Sequence, residues 1–600
     1  MHFPFKNIFV VDFEFVSDPG ERQKPVCVVF HEINSGETKK VWLEGKDPLT
    51  LTPPYPISES DLFVAYFSSA EWNCHLALGW PLPENVIDLY AEFRNMTNGL
   101  PGVSKKLLGA CQHYGVTTIS ELEKESARQR IMRGPPYTEE EKCYIMEYCA
   151  SDVFETAELF ETMKEDPNFD TDRALLRGRY MGAVATMEYG GIPIDLETLT
   201  ALKENWIQIQ EKLILEIDRD FGVYEGTVFK INKFEKYLND NGIAWPRTEK
   251  GNLEMKDDTF KEMCLRYPQL QGLKDLRYIL GQLRLSELPV GSDSRNRCLL
   301  SPFASKTGRN QPSTSKFIFG PAVWLRSLIK PEKGKVLAYV DYSQQEFMIA
   351  AALSKDEEMK AAYASGDPYL SFAKKAGAAP EEATKATHVA VRDLFKQCVL
   401  GVQYGMGAES LALRIGKSIP YGKELIHHHK RVFFKYWEWS EHVLDTTLLN
   451  RKITTCFGWQ MYVIGKEQKE ARTIKNFPCQ ATGAEILRVA CILLVENGIK
   501  IIAPIHDAIL IECEEGEAEE TILQAQKLMT KASTIVLGPE NSIKTDVKVI
   551  KYPDRYADRR GIETWDKITH ILKELEMERM SILSQNCRHS CLRTVGILDT

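Results

Sequence analysis

The first 165 residues alternate short apolar runs with helical patterns, the order expected of an α/β domain. In "FKNIFVVDFEF" the spacing predicts a strand. Its period of two puts Asp12 and Glu14 on one face and Phe13 and Phe15 on the other. "TEEEKCYIMEYCASDVFETAELFETMKE" predicts a long amphipathic helix, opened by Thr138 as its cap with acidic residues in the first turn. Tyr148 and Asp152 stand four apart on it and share a face. "DPNFDTD" (166–172) marks an expected boundary, and charged helical pattern fills 196–290. "SPFASKTGRNQPSTSK" (301–316) has the composition of a loop. "KVLAYVDYSQQEF" predicts a strand with Asp341 at its end, and helical pattern dominates 354–450. "IIAPIHDAILIEC" (501–513) predicts two short strands turning at His506-Asp507. Beyond about residue 578 the pattern fades, and a loose tail is expected.

Composition bounds this picture. Six hundred residues exceed a single core, and two to four domains are expected. Apolar content of 44% with 26% charged residues reads as globular. A net charge of −9 argues against a bulk coat on nucleic acid and leaves room for a local basic channel. No unbroken apolar run reaches the length of a membrane span, so no membrane association is expected. The opening "MHFPFKNIFVVDFEF" lacks a small-residue cleavage site, so a cytoplasmic location is the default. The 14 cysteines form no CxxC pairs and read as reduced thiols. Cys587, His589 and Cys591 in "CRHSC" supply three donors, one short of a structural zinc site.

Asp12 and Glu14 repel one another unless a cation lies between them, and hard oxygen ligands suit Mg²⁺ or Mn²⁺. Alone, the pair fits a solvated edge strand equally well. Together with Tyr148 and Asp152, it resembles the DEDDy proofreading exonucleases. In "VAYFSSAEWNCHLALGWPLPENVIDLYAEF", Glu71 stands where that family has its middle Asp, one methylene longer, and Asp88 in "VIDLY" fits the layout. The resemblance implies a ribonuclease H-like domain with two metal ions. Asp12, Glu14 and Asp152 would be the metal ligands, with Glu71 and Tyr148 completing the catalytic set. A domain with this layout and no activity is the alternative.

"VLAYVDYSQQEF" resembles the DYSQxE motif of family A DNA polymerases, matching at Asp341, Tyr342, Ser343, Gln344 and Glu346. Asp507 lies 166 residues later, in a "HD" pair. The resemblance implies that Asp341 and Asp507 hold two Mg²⁺ (or Mn²⁺) ions and that Tyr342 adds a carbonyl ligand. It further implies that Gln344 and Glu346 contact the nucleotide, with Glu346 closing the space at its 2′ position. His506 would lie near the primer end. In "THVAVRDLFKQCVLGVQYGMG", His388, Arg392, Lys396, Leu400 and Tyr404 form one stripe along a helix, cationic at one end, which suits a row of phosphates. By resemblance to the family's fingers helix, Arg392 and Lys396 would take the triphosphate and Tyr404 would lie near the templating base. Leu400 stands where an aromatic residue normally packs on the sugar. Arg309, Arg326, Arg472, Asn476 and Gln480 match DNA-contacting positions, and amides of the last two types can read minor-groove acceptors common to all base pairs. Three departures stand out: Leu400, Tyr369 in place of a phosphate-facing His, and Ala508 in place of a Glu.

The expected architecture is an α/β ribonuclease H-like exonuclease domain (1–165) followed by an α+β right-hand polymerase domain (166–577). Within it, 196–300 is the thumb region, 330–355 and 465–575 the palm, and 356–464 mainly the fingers. A tail follows at 578–600. The resemblance implies a monomeric DNA-templated DNA polymerase with 3′→5′ proofreading, acting on primer–template DNA and deoxynucleoside triphosphates in a bacterial or phage-infected cytoplasm. A chain beginning directly at the exonuclease is similar to compact phage replicative enzymes, and a processivity partner is not legible. The rivals are a single-subunit RNA polymerase-like enzyme, against which Glu346 argues, and an inert primer–template-binding protein, against which Asp341, Asp507, Arg392 and Lys396 argue.

Overall fold

The computed structural model describes residues 4–281, 287–320, 322–465 and 470–595, with side chains omitted at 281 and 582–595. The packing divides it into two compact units. Unit 1 is Met1–Gly191, Leu299–Pro312 and Gly334–Val549; unit 2 is Ile192–Cys298, Ser313–Lys333 and Ile550–Thr600.

Unit 1 contains two larger sheets, besides the two-stranded pair Lys452–Thr454 and Gln460–Tyr462. The first has five strands: β1 (Asn7–Val16), β2 (Lys24–Glu32), β3 (Thr38–Trp42), β4 (Asp61–Ala65) and β5 (Val86–Asp88), in the order β3-β2-β1-β4-β5. β1 runs antiparallel to β2 and parallel to β4, as a sheet fed by both hairpin and crossover connections requires. Its alternation fixes the faces. Ile8 and Val10 pack with Ile145, Cys149 and Val153 of the helix Glu139–Met163. Phe9, Val11 and Phe13 pack with Phe63, Trp72 and Trp80 on the other side. Asp12 and Glu14 therefore face the long helix. That helix begins as the sequence predicts: Thr138 Oγ1 accepts from the Glu141 N–H, and the Glu141 carboxylate accepts from the Thr138 N–H.

The second sheet orders Ile501–Ile505, Ala508–Glu514, Lys335–Tyr342 and Thr545–Lys551. The expected hairpin at His506-Asp507 is present, and His506 takes a left-handed φ of 56° in its two-residue turn. The helix Ala471–Glu496 packs on the helix Ala518–Leu537 and carries Pro478 within it. By length and composition it would also pass for a membrane span, although polar residues interrupt it; 78% of its apolar window is buried.

Unit 2 is mainly helical and includes Leu196–Glu204, Trp206–Asp218, Ile231–Asp240, Asp257–Arg266 and Gln271–Gly281. The α/β region followed by an α+β region is the fold class expected. One expectation is corrected over residues 578–595: helix Ile562–Val595 runs through this part of the tail expected to be loose. "ERMSILSQNCRHSCLRTV" contains neither Gly nor Pro, so nothing local stops the helix. The side chains of Cys587, His589 and Cys591, and residues 596–600, lie outside the described residues.

Candidate active sites in unit 1

The first site forms on β1. Among the described residues, Asp12, Glu14 and Cys149 bring one potential metal-ligand atom each within 4.8 Å of one another. The Cys149 thiol donates to Asp12 Oδ2 at 3.2 Å. Burial, then the charge of Asp152, pushes the Asp12 carboxyl up to about 8, opposed by the Cys149 bond and by Lys124. Burial and Asp12 raise Glu14 well above the carboxylate range. Carboxylates held in this state are suited to a divalent ion.

The other expected members are differently engaged. Glu71 sits on the helix Ser69–Ala77, buried, and its Oε2 accepts the Phe13 N–H at 2.7 Å. The bond ties the helix to β1 beyond the end of the parallel β4 pairing, so Glu71 splints the strand that carries the two acids. Asp88 caps the helix Leu89–Met96, accepting from the Ala91 N–H at 2.7 Å and the Ser68 N–H at 2.6 Å. Asp152 bonds Lys124 Nζ, which also donates to Glu155 Oε2 at 2.7 Å. Tyr148 has its phenol raised by burial and by Asp152. Cys149 and Lys124 were not singled out in the sequence. A cysteine one position from Tyr148 carries no pattern, and Lys124 lies in a charged stretch that reads as a solvated face.

The second site forms on the second sheet. Asp341 pairs in register with Ala508, so Asp507 is the adjoining turn residue, and its carbonyl accepts the Tyr342 N–H at 3.3 Å. The strand pairing thus brings together two acids far apart in the chain. Asp341 Oδ1 is buried with no hydrogen-bond partner. Burial, then Asp507 and Asp546, pushes its carboxyl up to about 7, with Lys396 opposing. Burial also raises Asp507, against the charges of Arg309 and His506. An orphaned carboxylate oxygen beside a second acid fits a divalent cation, which Asp341 and Asp507 could hold. Tyr342 itself is buried and donates from its hydroxyl to the Met529 carbonyl at 2.6 Å, which locks the strand end. Asp546, not foreseen, accepts from Ser343 Oγ at 2.6 Å.

The cationic stripe lies on the helix Val389–Gln403, with His388 and Tyr404 at its two caps. Arg392 is ion-paired to Asp367. The buried ring of Tyr369 lies under both cations, 5.6 Å from the Arg392 guanidinium and 6.0 Å from Lys396 Nζ. Tyr369, which stands where the resemblance implies a His, therefore packs against both cations. Leu400 is half-buried. The Tyr404 carbonyl accepts from Arg472 Nε at 2.5 Å and from Asn476 Nδ2 at 3.4 Å, joining the stripe to the helix Ala471–Glu496. Gln480 lies two turns from Arg472 on that helix, half-buried. Arg309 donates to Glu346 Oε1 at 2.8 Å, and the Glu346 carbonyl accepts from Gln403. Gln344 begins the following helix in a left-handed conformation, φ 49°. His506 is exposed at the turn.

Arg326 is the exception among the expected DNA-contacting residues. Within unit 2 it is 7% exposed, donates to Asp558 at 2.7 Å and bonds the carbonyls of Phe319 and Gly320. Its guanidinium holds the fold together, because an always-charged group is buried at tolerable cost only where carboxylate and carbonyl acceptors meet it.

Comparison with known proteins follows the same lines. Residues 319–551 match DNA polymerase family A. DNA polymerase I of Aquifex aeolicus is 25% identical over 449 residues, 65% of this chain and 73% of that protein. The thermostable DNA polymerase I of Thermus thermophilus is 30% identical over 378 residues, 58% of this chain and 44% of that protein. The DNA polymerase of Mycobacterium phage L5 is 25% identical over 360 residues, 58% of this chain and 57% of that protein. The chain thus spans about half the length of the latter two relatives. In structure, the chain is similar to the POL domain of Pol1 from M. smegmatis, determined in complex with DNA primer-template and dNTP. The TM-score is 0.67 at 19% identity, covering 90% of this chain and 95% of that one.

Proposed function

With residues 319–551 matching DNA polymerase family A, we propose that the chain is a DNA-templated DNA polymerase that extends a primer 3′ end with deoxynucleotides. The observation that carries this reading is the meeting of Asp341 and Asp507 through strand pairing, with Lys396 close enough to act on Asp341. Two divalent ions at this site would lower the proton affinity of the primer hydroxyl and balance the charge of the triphosphate. Asp341 and Asp507 would hold the ions, and Arg392 and Lys396 would receive the phosphates, with Tyr369 packed against both cations. Glu346, held by Arg309, stands at the sugar and favours deoxynucleotides. Arg472, Asn476 and Gln480 lie along one helix beside Tyr404, where primer and template would pass. Unit 2 supplies the thumb.

The reading extends to 3′→5′ proofreading at Asp12, Glu14, Tyr148 and Asp152, with Glu71 bracing β1. We place the enzyme in DNA replication of a bacterial or phage-infected cytoplasm. A second reading, a polymerase whose exonuclease-like region does not cut, is favoured by the engagement of Glu71 with Phe13 and of Asp152 with Lys124. Extension of a primer with a mismatched 3′ end tests both. Under the proofreading reading the wild type trims and then extends, and Asp12→Ala stalls at the mismatch. If the wild type stalls as Asp12→Ala does, the second reading holds.

A further inference from the structure

The amino-terminal carboxylate cluster contains a cation of its own. Lys124 is the fourth residue of the helix Glu121–Met132, and its place is fixed locally. Ser120 and Glu123 close a reciprocal capping box: Ser120 Oγ accepts the Glu123 N–H at 3.2 Å, and Glu123 Oε2 accepts the Ser120 N–H at 2.9 Å. Glu155, on the long helix, holds the same corner by accepting the Ile119 N–H at 3.0 Å. Lys124 is therefore aimed by two anchors at its own end. Its ammonium meets Asp152 and Glu155, and all three side chains are largely shielded, with exposures of 16%, 12% and 6%.

An ammonium ion-paired to Asp152 excludes a divalent ion from that carboxylate by simple repulsion, which is strong where water is scarce. Asp12 and Glu14 remain, with Cys149 beside them, as the described residues with ligand atoms close enough to share an ion. We infer that Lys124 Nζ takes the place of a second divalent ion in this cluster, so that the site binds one ion, on Asp12 and Glu14, and Asp152 serves to position Lys124. The inference rests on the nuclease reading only for the identity of the site; the ion count can be measured independently of cutting.

The test is Mn²⁺ binding to the full chain, followed by the electron paramagnetic resonance signal of free Mn²⁺. It is carried out in an Asp341→Asn, Asp507→Asn background that silences the polymerase site. One Mn²⁺ per chain is expected, falling to none with Asp12→Asn and staying at one with Asp152→Asn. Lys124→Met should raise the count to two, and Lys124→Arg should leave it at one. Two ions or none in the parent overturns the inference, as does loss of the single ion with Asp152→Asn or an unchanged count in a folded Lys124→Met. Should Lys124→Met fail to fold, the parent, Asp152→Asn and Lys124→Arg counts still decide. Trimming of a single-stranded 3′ end, measured on the same preparations, tests the nuclease reading separately. Absence of trimming with the predicted counts refutes that reading and leaves the ion assignment standing.

Discussion

Arg392 is neutralised in the free chain by Asp367, so a triphosphate must compete with that carboxylate for the guanidinium. The two side chains are 12% and 18% exposed, between the surface and buried extremes. Surface pairs contribute ~0.2–1 kcal/mol, and loss of one partner from a buried pair costs about 3–5 kcal/mol. We take about 1 kcal/mol for the competition, which converts to roughly fivefold in affinity. Asp367 also caps the helix Pro368–Lys375 by accepting the Leu370 N–H at 3.1 Å, a role Asn fills equally well. Asp367→Asn therefore removes the competitor and keeps the cap. The expected outcome is a KM for deoxynucleotide lowered roughly fivefold with the cap intact. Arg392→Ala should act in the opposite direction. Loss of charge-assisted bonds of about 1.5–3 kcal/mol corresponds to a drop of roughly ten- to 150-fold in kcat/KM. Steady-state single-nucleotide insertion over a range of nucleotide concentrations measures both, and the double variant gives the coupling. A KM that rises in Asp367→Asn, or an unchanged kcat/KM in Arg392→Ala, refutes the reasoning.

Other outcomes follow from the same geometry. Asp558→Asn should destabilise unit 2 by about 3 kcal/mol, since it leaves the buried Arg326 without its carboxylate, and chemical denaturation followed by tryptophan fluorescence reads this. Asp341 has a folded-state proton affinity raised to about 7 from 3.8, so its contribution to stability is complete below the ordinary value and is lost as pH rises through about 7. The melting temperature of metal-free protein should fall more steeply between the ordinary value of 3.8 and about pH 7 than that of Asp341→Asn, with Mg²⁺ offsetting the loss. Equal slopes would count against the burial of Asp341. Glu346→Ala should relax the preference for deoxynucleotides over ribonucleotides in a side-by-side insertion assay, and an unchanged preference would remove Glu346 from that role.

The parts legible in the sequence are those set by short spacing or by a multi-residue motif. Thr138 and the acidic residues after it announce a helix start, and the five residues spaced four apart from His388 to Tyr404 form one helix face. Asp341 and Asp507 have no local relation; the motif around each identifies the pair, and antiparallel strand pairing brings them together. What stayed hidden depends on tertiary contact. Lys124 lies 28 residues before Asp152, on another helix, in a run whose charges suggest solvent. Arg326 matched a DNA-contacting position, yet Asp558, 232 residues later, claims it. Tyr369 read as a lost histidine, and only the packing of its ring beneath Arg392 and Lys396 shows what the substitution supplies. Ala508 lies fully buried opposite Asp341, so the Glu expected there by resemblance would have to displace packed neighbours.

The central claim is that Asp341 and Asp507 form the site of nucleotide addition, separate from the carboxylates on β1. Extension of a primed template in Mg²⁺ by wild type, Asp341→Ala and Asp12→Ala, with 3′ trimming followed in the same reactions, tests it most directly. Asp341→Ala is expected to abolish extension and leave trimming unchanged, and Asp12→Ala to leave extension intact. Undiminished extension by Asp341→Ala would contradict it.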